Sequence, residues 1–143
     1  MKVVLSDCVR SQGGASSIWR PDSSILELYR GFAPGQVKVI TSAGTNCESS
    51  GTSLVNLMGN AGIVAEWIPI CDINCDVAAF DPEIVTMIDR ADAIFYGGGQ
   101  SGRLQSCLYG DYSQSGIDVE EGTMTPVLAA LIRKEIVGGS SAG

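Results

Sequence analysis

Short runs of apolar, largely β-branched residues recur along this chain, and segments of helical spacing separate them. Val3–Leu5, Val37–Thr41, Ile63–Ile70, Ala93–Tyr96 and Glu135–Val137 read as strands. Short apolar runs of this kind suit strands buried on both faces. A parallel neighbour needs a crossover long enough to hold a helix, so strands alternating with helices imply a parallel sheet. The expected fold class is therefore α/β, a mostly parallel sheet with helices on both faces.

The helical segments carry their own punctuation. Ser23 and Ser24 precede Ile25–Phe32, with Glu27 near the capping-box position and Gly31 near the end. Pro34–Gly35 forms a turn into the next strand. Ser49–Asn60 carries Leu54, Val55, Leu57 and Met58 and stops at Gly62. Asp81-Pro82-Glu83 is a helix start with Asp as N-cap and Pro at the first helical position, and Ile84, Val85, Met87 and Ile88 form the buried face. Thr125–Pro126 opens another, with Val127, Leu128, Leu131 and Ile132 on one side. The polar stretches Ser11–Ser24 and Asp111–Thr125 read as loops.

Composition narrows the function. The 143 residues amount to one domain's worth of chain. A net charge of −7 argues against nucleic acid or an anionic membrane as partner. No run approaches the ~18–20 apolar residues of a membrane span. The chain has no His, so these residues alone hold no Ser–His or Cys–His pair and no His-ligated metal. Cys71 and Cys75 are a CxxxC pair without a second pair, which is a thin zinc signal. The odd count of 5 Cys fits buried free thiols, or disulfides with one thiol left over. The low Lys content leans toward secretion, although the Val3–Leu5 run after Lys2 is too short for a signal-peptide core. No cofactor or metal is expected. Asp72, Asn74 and Asp76 loosely resemble calcium spacing but lack the Gly and distal Glu of an EF-hand loop.

Two segments can carry chemistry, and both fall at carboxyl ends of strands, where parallel sheets bind ligands. Gly139-Ser140-Ser141-Ala142-Gly143 fits G-x-S-x-G. Glycines at that spacing let a serine sit on a sharp turn with its hydroxyl exposed, and the next N–H faces a developing oxyanion. Ser141 is then the candidate nucleophile and Ala142 an oxyanion donor. A Gly/Ser phosphate loop remains an alternative. The second segment is Ala93-Ile94-Phe95-Tyr96-Gly97-Gly98-Gly99-Gln100. Its glycines admit close approach to a ligand and offer a second oxyanion N–H. A dinucleotide fingerprint competes, matched at Gly97, Gly99 and Gly102, but it follows the fourth predicted strand rather than the first. Arg103, just beyond, is a candidate for a substrate carboxylate.

Together these segments resemble the cyanophycinase and dipeptidase E family of serine peptidases, which share a class I glutamine amidotransferase-like, flavodoxin-like fold. The family pattern is a strand running into Gly-Gly and Gln, then a helix and a strand ending in Gly-Thr-Ser-Ala-Gly. Ala91-Asp92 and Ile40-Thr41-Ser42-Ala43 also match, and Gln100 is nearer cyanophycinase. The resemblance covers the chain from about Val37 onward. It implies Ser141 as nucleophile, Gly98 and Ala142 as oxyanion hole, and Gln100 in the substrate pocket; Gly99 and Arg103, beside it, are further candidates for the substrate. Gly99 replaces the family's usual Asp or Asn, and Ser140 its Thr.

Family members continue well past the nucleophile and carry the base His there. Residues 1–143 are accordingly expected to be the amino-terminal part of one hydrolytic domain, incomplete without a carboxyl-terminal half. That half would come from a second chain cleaved from the same precursor, giving a heterodimer that acts on a small peptide and is compatible with a homo-oligomer. The alternative is a catalytically inactive relative made of two cleaved chains, serving as a structural or pigment-binding protein.

Overall fold

The computed structural model describes residues 2–3, 24–109 and 124–140. Cys8, most of the two polar stretches, and Ser141, Ala142 and Gly143 lie outside the described residues. The elements in chain order are β1 (Lys2–Val3), α1 (Ser24–Arg30), β2 (Val37–Ile40), α2 (Cys47–Asn60), β3 (Ala65–Trp67) and α3 (Cys75–Ala78). They continue with α4 (Pro82–Arg90), β4 (Ala93–Tyr96), α5 (Ser101–Tyr109), α6 (Pro126–Ile132) and β5 (Ile136–Gly139). Among the described residues no helix is long and apolar enough to cross a membrane.

All strand pairs are parallel, in the order β1-β5-β4-β2-β3. Val37 lies opposite both Ala65 and Ala93, and Ile94 lies opposite Val137. Counted from β2, the strands run second, first, third, fourth, which is the flavodoxin-like order. β2 and β4 are therefore the adjacent pair whose following connections run apart.

Strand alternation divides the core into two layers. Val37, Val39, Ala93 and Phe95 face Leu26 and Tyr29 of α1 and Met58 of α2. Ile40 and Ile94 face Ala78 of α3, Ile84 and Ile88 of α4, Cys107 and Leu108 of α5, and Val127 and Leu131 of α6. Helices thus cover both faces. Each fully buried large aliphatic or aromatic side chain contributes about 1.5–3 kcal/mol. Tyr29 stands edge-on to Phe95, centroids 5.8 Å apart, and its hydroxyl donates to the Ile94 carbonyl at 3.0 Å. Gly138 makes room for it: a Cβ there would sit 2.5 Å from the Tyr29 oxygen.

Asp81 caps α4 as expected, and Thr125 caps α6. The Asp81 carboxylate accepts from the Glu83 N–H at 2.8 Å, and the Thr125 hydroxyl accepts from the Leu128 N–H at 3.2 Å. Other boundaries differ. The run Ile63–Ile70 pairs only over Ala65–Trp67, because Pro69 has no N–H for the ladder, although Ile68 and Ile70 stay buried. α2 begins at Cys47, earlier than Ser49. Helices α3 and α5 have no counterpart in the sequence reading. Ile132, the last helical residue of α6, is exposed, and Ala130 takes the buried place instead.

Candidate active site

The loops that leave β2 and β4 meet at the carboxyl edge of the sheet. In an open parallel sheet this divergence leaves a crevice between the two strands. Hydrogen bonds stitch its walls together. Gly97 N–H donates to the Ile40 carbonyl at 2.8 Å, Gln100 N–H to the Ala43 carbonyl at 2.8 Å, and Ser140 N–H to the Tyr96 carbonyl at 3.0 Å. The β4 loop is thereby fixed at both ends against the β2 loop. Ser140 is buried and leaves β5 from a fixed position.

Between its two fixed ends, the β4 loop has free donors. The N–H groups of Gly98 and Gly99 have no acceptor among the described residues. Gly99 has φ +151°, and a Cβ there would overlap the Ala43 carbonyl, so the close approach of the two loops requires glycine. Gly97 is tight as well, with its notional Cβ 3.1 Å from Thr41 Cγ2.

The β2 side rests on buried polar contacts. The Thr41 hydroxyl donates to the Cys47 carbonyl at 2.7 Å and accepts from the Trp67 indole N–H at 2.9 Å. The Ser42 hydroxyl donates to the Ile70 carbonyl at 2.6 Å. Trp67 in turn lies where a Cβ on Gly51 of α2 would stand. A Cys47–Cys71 disulfide joins the first residue of α2 to the segment after β3. Cys71 is thus spent, so the CxxxC spacing does not supply a thiolate pair for zinc.

A cavity of about 550 Å³ opens over this crevice, with Gly98, Gly99, Gln100 and Ser140 on one side and Ser49, Ser53 and Leu57 of α2 on the other. It adjoins a second of about 800 Å³, bounded by Trp67, the disulfide, Glu48 and Asp72; Thr45, Asn46, Ser49 and Ser53 line both. The structure therefore brings Gly98, Gly99 and Gln100 together at one cavity. Arg103 does not line either. Its guanidinium donates to Gln100 Oε1 at 2.9 Å and pairs with Asp72 at 3.1 Å. Ser141 and Ala142 lie outside the described residues, directly after Ser140.

Asn46, Ser49, Ser53 and Trp67 were not singled out from the sequence. For Asn46, Ser49 and Ser53 the signal is a stripe of small polar residues at helical spacing at the start of α2, which reads equally as a solvent face; Trp67, on β3, carries no such signal. Asn74 accepts from the Cys71 N–H at 2.7 Å and donates to the Pro69 carbonyl at 3.1 Å, closing a turn rather than ligating an ion. Among the described residues no group of three or more His, Cys, Asp or Glu is placed to hold a metal ion. Two groups near the site hold their protons tightly. Burial raises the Tyr96 phenol above its usual range. Burial, and then contact with Cys75, push the Cys107 thiol up to about 12.

The architecture and crevice define a doubly wound α/β protein. Comparison with models of protein families gives no match. Comparison with curated proteins gives none either. Among solved structures the chain is similar to the crystal structure of a peptidase from an acI-B1 Actinobacterium, with a TM-score of 0.58 and 19% identity. The likeness covers 83% of this chain and 49% of that one, so the chain spans about half the length of the peptidase it matches. What the two share is the fold.

Proposed function

We propose that these residues form the nucleophile-bearing part of a serine peptidase of the cyanophycinase and dipeptidase E kind. The observation that carries the reading is the pair of unpartnered N–H groups at Gly98 and Gly99, in one cavity with Ser140. In sequence Ser141 is the residue after Ser140, whose own N–H donates to the Tyr96 carbonyl. The likeness in fold to a solved peptidase supports the same reading.

In this reading the Ser141 hydroxyl attacks the carbonyl of a peptide or isopeptide bond. The negative charge that develops on the carbonyl oxygen is met by the N–H groups of Gly98 and Ala142. One such donor is worth about 3–4 kcal/mol in the transition state. The amine leaves with a proton, an acyl-enzyme remains on Ser141, and water releases it. Gln100 and Gly99 bound the substrate, and Arg103 acts on it through its hold on Gln100. With no His in the chain, the base is supplied from outside these 143 residues, by a partner segment that completes the domain.

The test is labelling of the native protein with a fluorophosphonate. A label on Ser141, absent from Ser141→Ala, is the expected result. A folded native protein that stays unlabelled overturns the proposal. A small chromophore that co-purifies with such an unlabelled protein would favour the ligand-binding reading instead.

A further inference from the structure

Among the described residues the catalytic reading leaves two thiols unused, and Cys75 packs against the buried cluster that holds the other, Cys107. Cys75 is the first residue of α3 and is half-buried; Cys107, on α5, is fully buried. Cys75, Asp72 and Ser42 are the groups close enough to act on the Cys107 thiol. The Cys75 sulfur lies 3.7 Å from the Asp72 carbonyl oxygen and 4.0 Å from that of Ser106, the residue before Cys107. The nearby Cys47–Cys71 pair is already joined.

We propose that Cys75 and Cys107 form a second disulfide, made and broken by exchange with a small disulfide such as oxidised glutathione. Cys75 is the accessible partner and reacts first. Its thiolate attacks one sulfur of glutathione disulfide, the glutathione S–S bond breaks, and one glutathione leaves as a thiol after taking a proton. Cys107 then gives up its proton to solvent and attacks the Cys75 sulfur, releasing the second glutathione. Two protein thiols are oxidised, and one glutathione disulfide is reduced to two thiols. Burial raises the Cys107 thiol, so little of it is thiolate when the second step begins.

The bond has a structural consequence at the crevice. α5 starts at Ser101, directly after the Gly97–Gln100 loop. In the thiol form, the side-chain tie between α5 and the segment before α3 is the partly exposed Arg103–Asp72 ion pair, which salt screens. The disulfide adds a covalent tie from α5 to the start of α3, three residues past Asp72, and anchors the helix that follows the loop carrying Gly98. This consequence touches the proposed catalytic site, but the bond itself is tested without any activity.

The native protein is equilibrated in defined mixtures of reduced and oxidised glutathione and quenched with acid, its free thiols are blocked with N-ethylmaleimide in denaturant, and it is cleaved on the amino side of Asp. The cut before Asp72 separates Cys75, in Asp72–Cys75, from the fragment that holds both Cys47 and Cys71. Cys107 leaves in the fragment that starts at Asp92. The expected product under oxidising mixtures is these two fragments joined, unblocked, and separated by dithiothreitol. In Cys75→Ser the Asp92 fragment should instead appear alone and blocked. Three results would overturn the proposal: both fragments blocked at every ratio, Cys75 halted as a glutathione adduct, or either cysteine joined to Cys8.

Discussion

Replacing Gly99 by Ala tests whether the two loops of the crevice are held as closely as the contacts imply. At φ +151° an L side chain is strained by about 1–3 kcal/mol. The added methyl would also overlap the Ala43 carbonyl and come within 2.9 Å of the Gly44 nitrogen. Relief requires the loops to part, which breaks the bond from Gln100 N–H to Ala43 and removes about 1 kcal/mol more. The sum is a destabilisation of about 2–4 kcal/mol. Gly102, three residues on, is the internal control. A Cβ there meets nothing within 4 Å, and it sits in α5, where Ala is favoured over Gly by up to about 1 kcal/mol. Urea unfolding of the native protein reads both. Gly99→Ala should lower the midpoint by about 1 M or more at unchanged slope, while Gly102→Ala should match the parent or exceed it. Two variants that unfold within about 0.5 kcal/mol of each other would refute the close-approach argument. In an active preparation, Gly99→Ala should also lose turnover, because the loop that moves carries the Gly98 N–H.

Three further outcomes follow from single contacts. Gly51→Ala should cost about 1–3 kcal/mol, since the new methyl displaces the Trp67 ring, and thermal unfolding checks it. Replacing Cys47 and Cys71 together by Ala opens a link of sequence separation 24 and should lower stability by about 3 kcal/mol in the same assay. Burial first, and then Tyr96, raise the Tyr29 phenol above its usual range. The folded protein therefore keeps a proton that the unfolded chain releases near pH 10, so stability is complete below about pH 10 and falls as pH rises beyond it. Tyr29→Phe should lose about 1 kcal/mol at neutral pH through the Ile94 bond but decline less steeply in alkali. Tyr96, raised in the same direction, retains part of the slope. Unfolding curves across the alkaline range measure it, and an unchanged slope would contradict the assignment.

What the sequence makes legible here depends on how local the cause is. Asp81–Pro82 and Thr125–Pro126 start helices through contacts within one turn, and both starts could be read directly. The extent of β3 could not, because it depends on which strand pairs with it and on Pro69. α5 has its apolar signal only at Leu104, Cys107 and Leu108 and includes Gly102 near its start, so packing against α3 and α6 rather than propensity makes it a helix. The glycines at 97–99 announce a backbone approached closely, and they line the cavity. The serines of α2 announce nothing until the order β4-β2-β3 turns their helix face toward the same crevice.

That order also separates two tasks within the proposed chemistry. The smaller cavity is bounded by backbone N–H groups, hydroxyls, the side-chain amides of Asn46 and Gln100, and aliphatic carbons. Among the described residues no carboxylate, lysine or guanidinium lines it; Glu48 and Asp72 stand in the adjoining cavity, and Asp72 is paired with Arg103. A wall of this composition stabilises negative charge by oriented dipoles and holds no group suited to take a proton from a serine at neutral pH. It follows that adding a base to this chain, rather than adding donors, is what would change its reactivity. Anion binding at Gly98 and proton transfer from Ser141 are then separable properties. A boronate that captures the serine should require the completing segment, whereas a small carboxylate should perturb the Gly98 and Gly99 amide resonances without it. If the carboxylate moves neither resonance, the donors are not aimed into the cavity and the oxyanion reading fails.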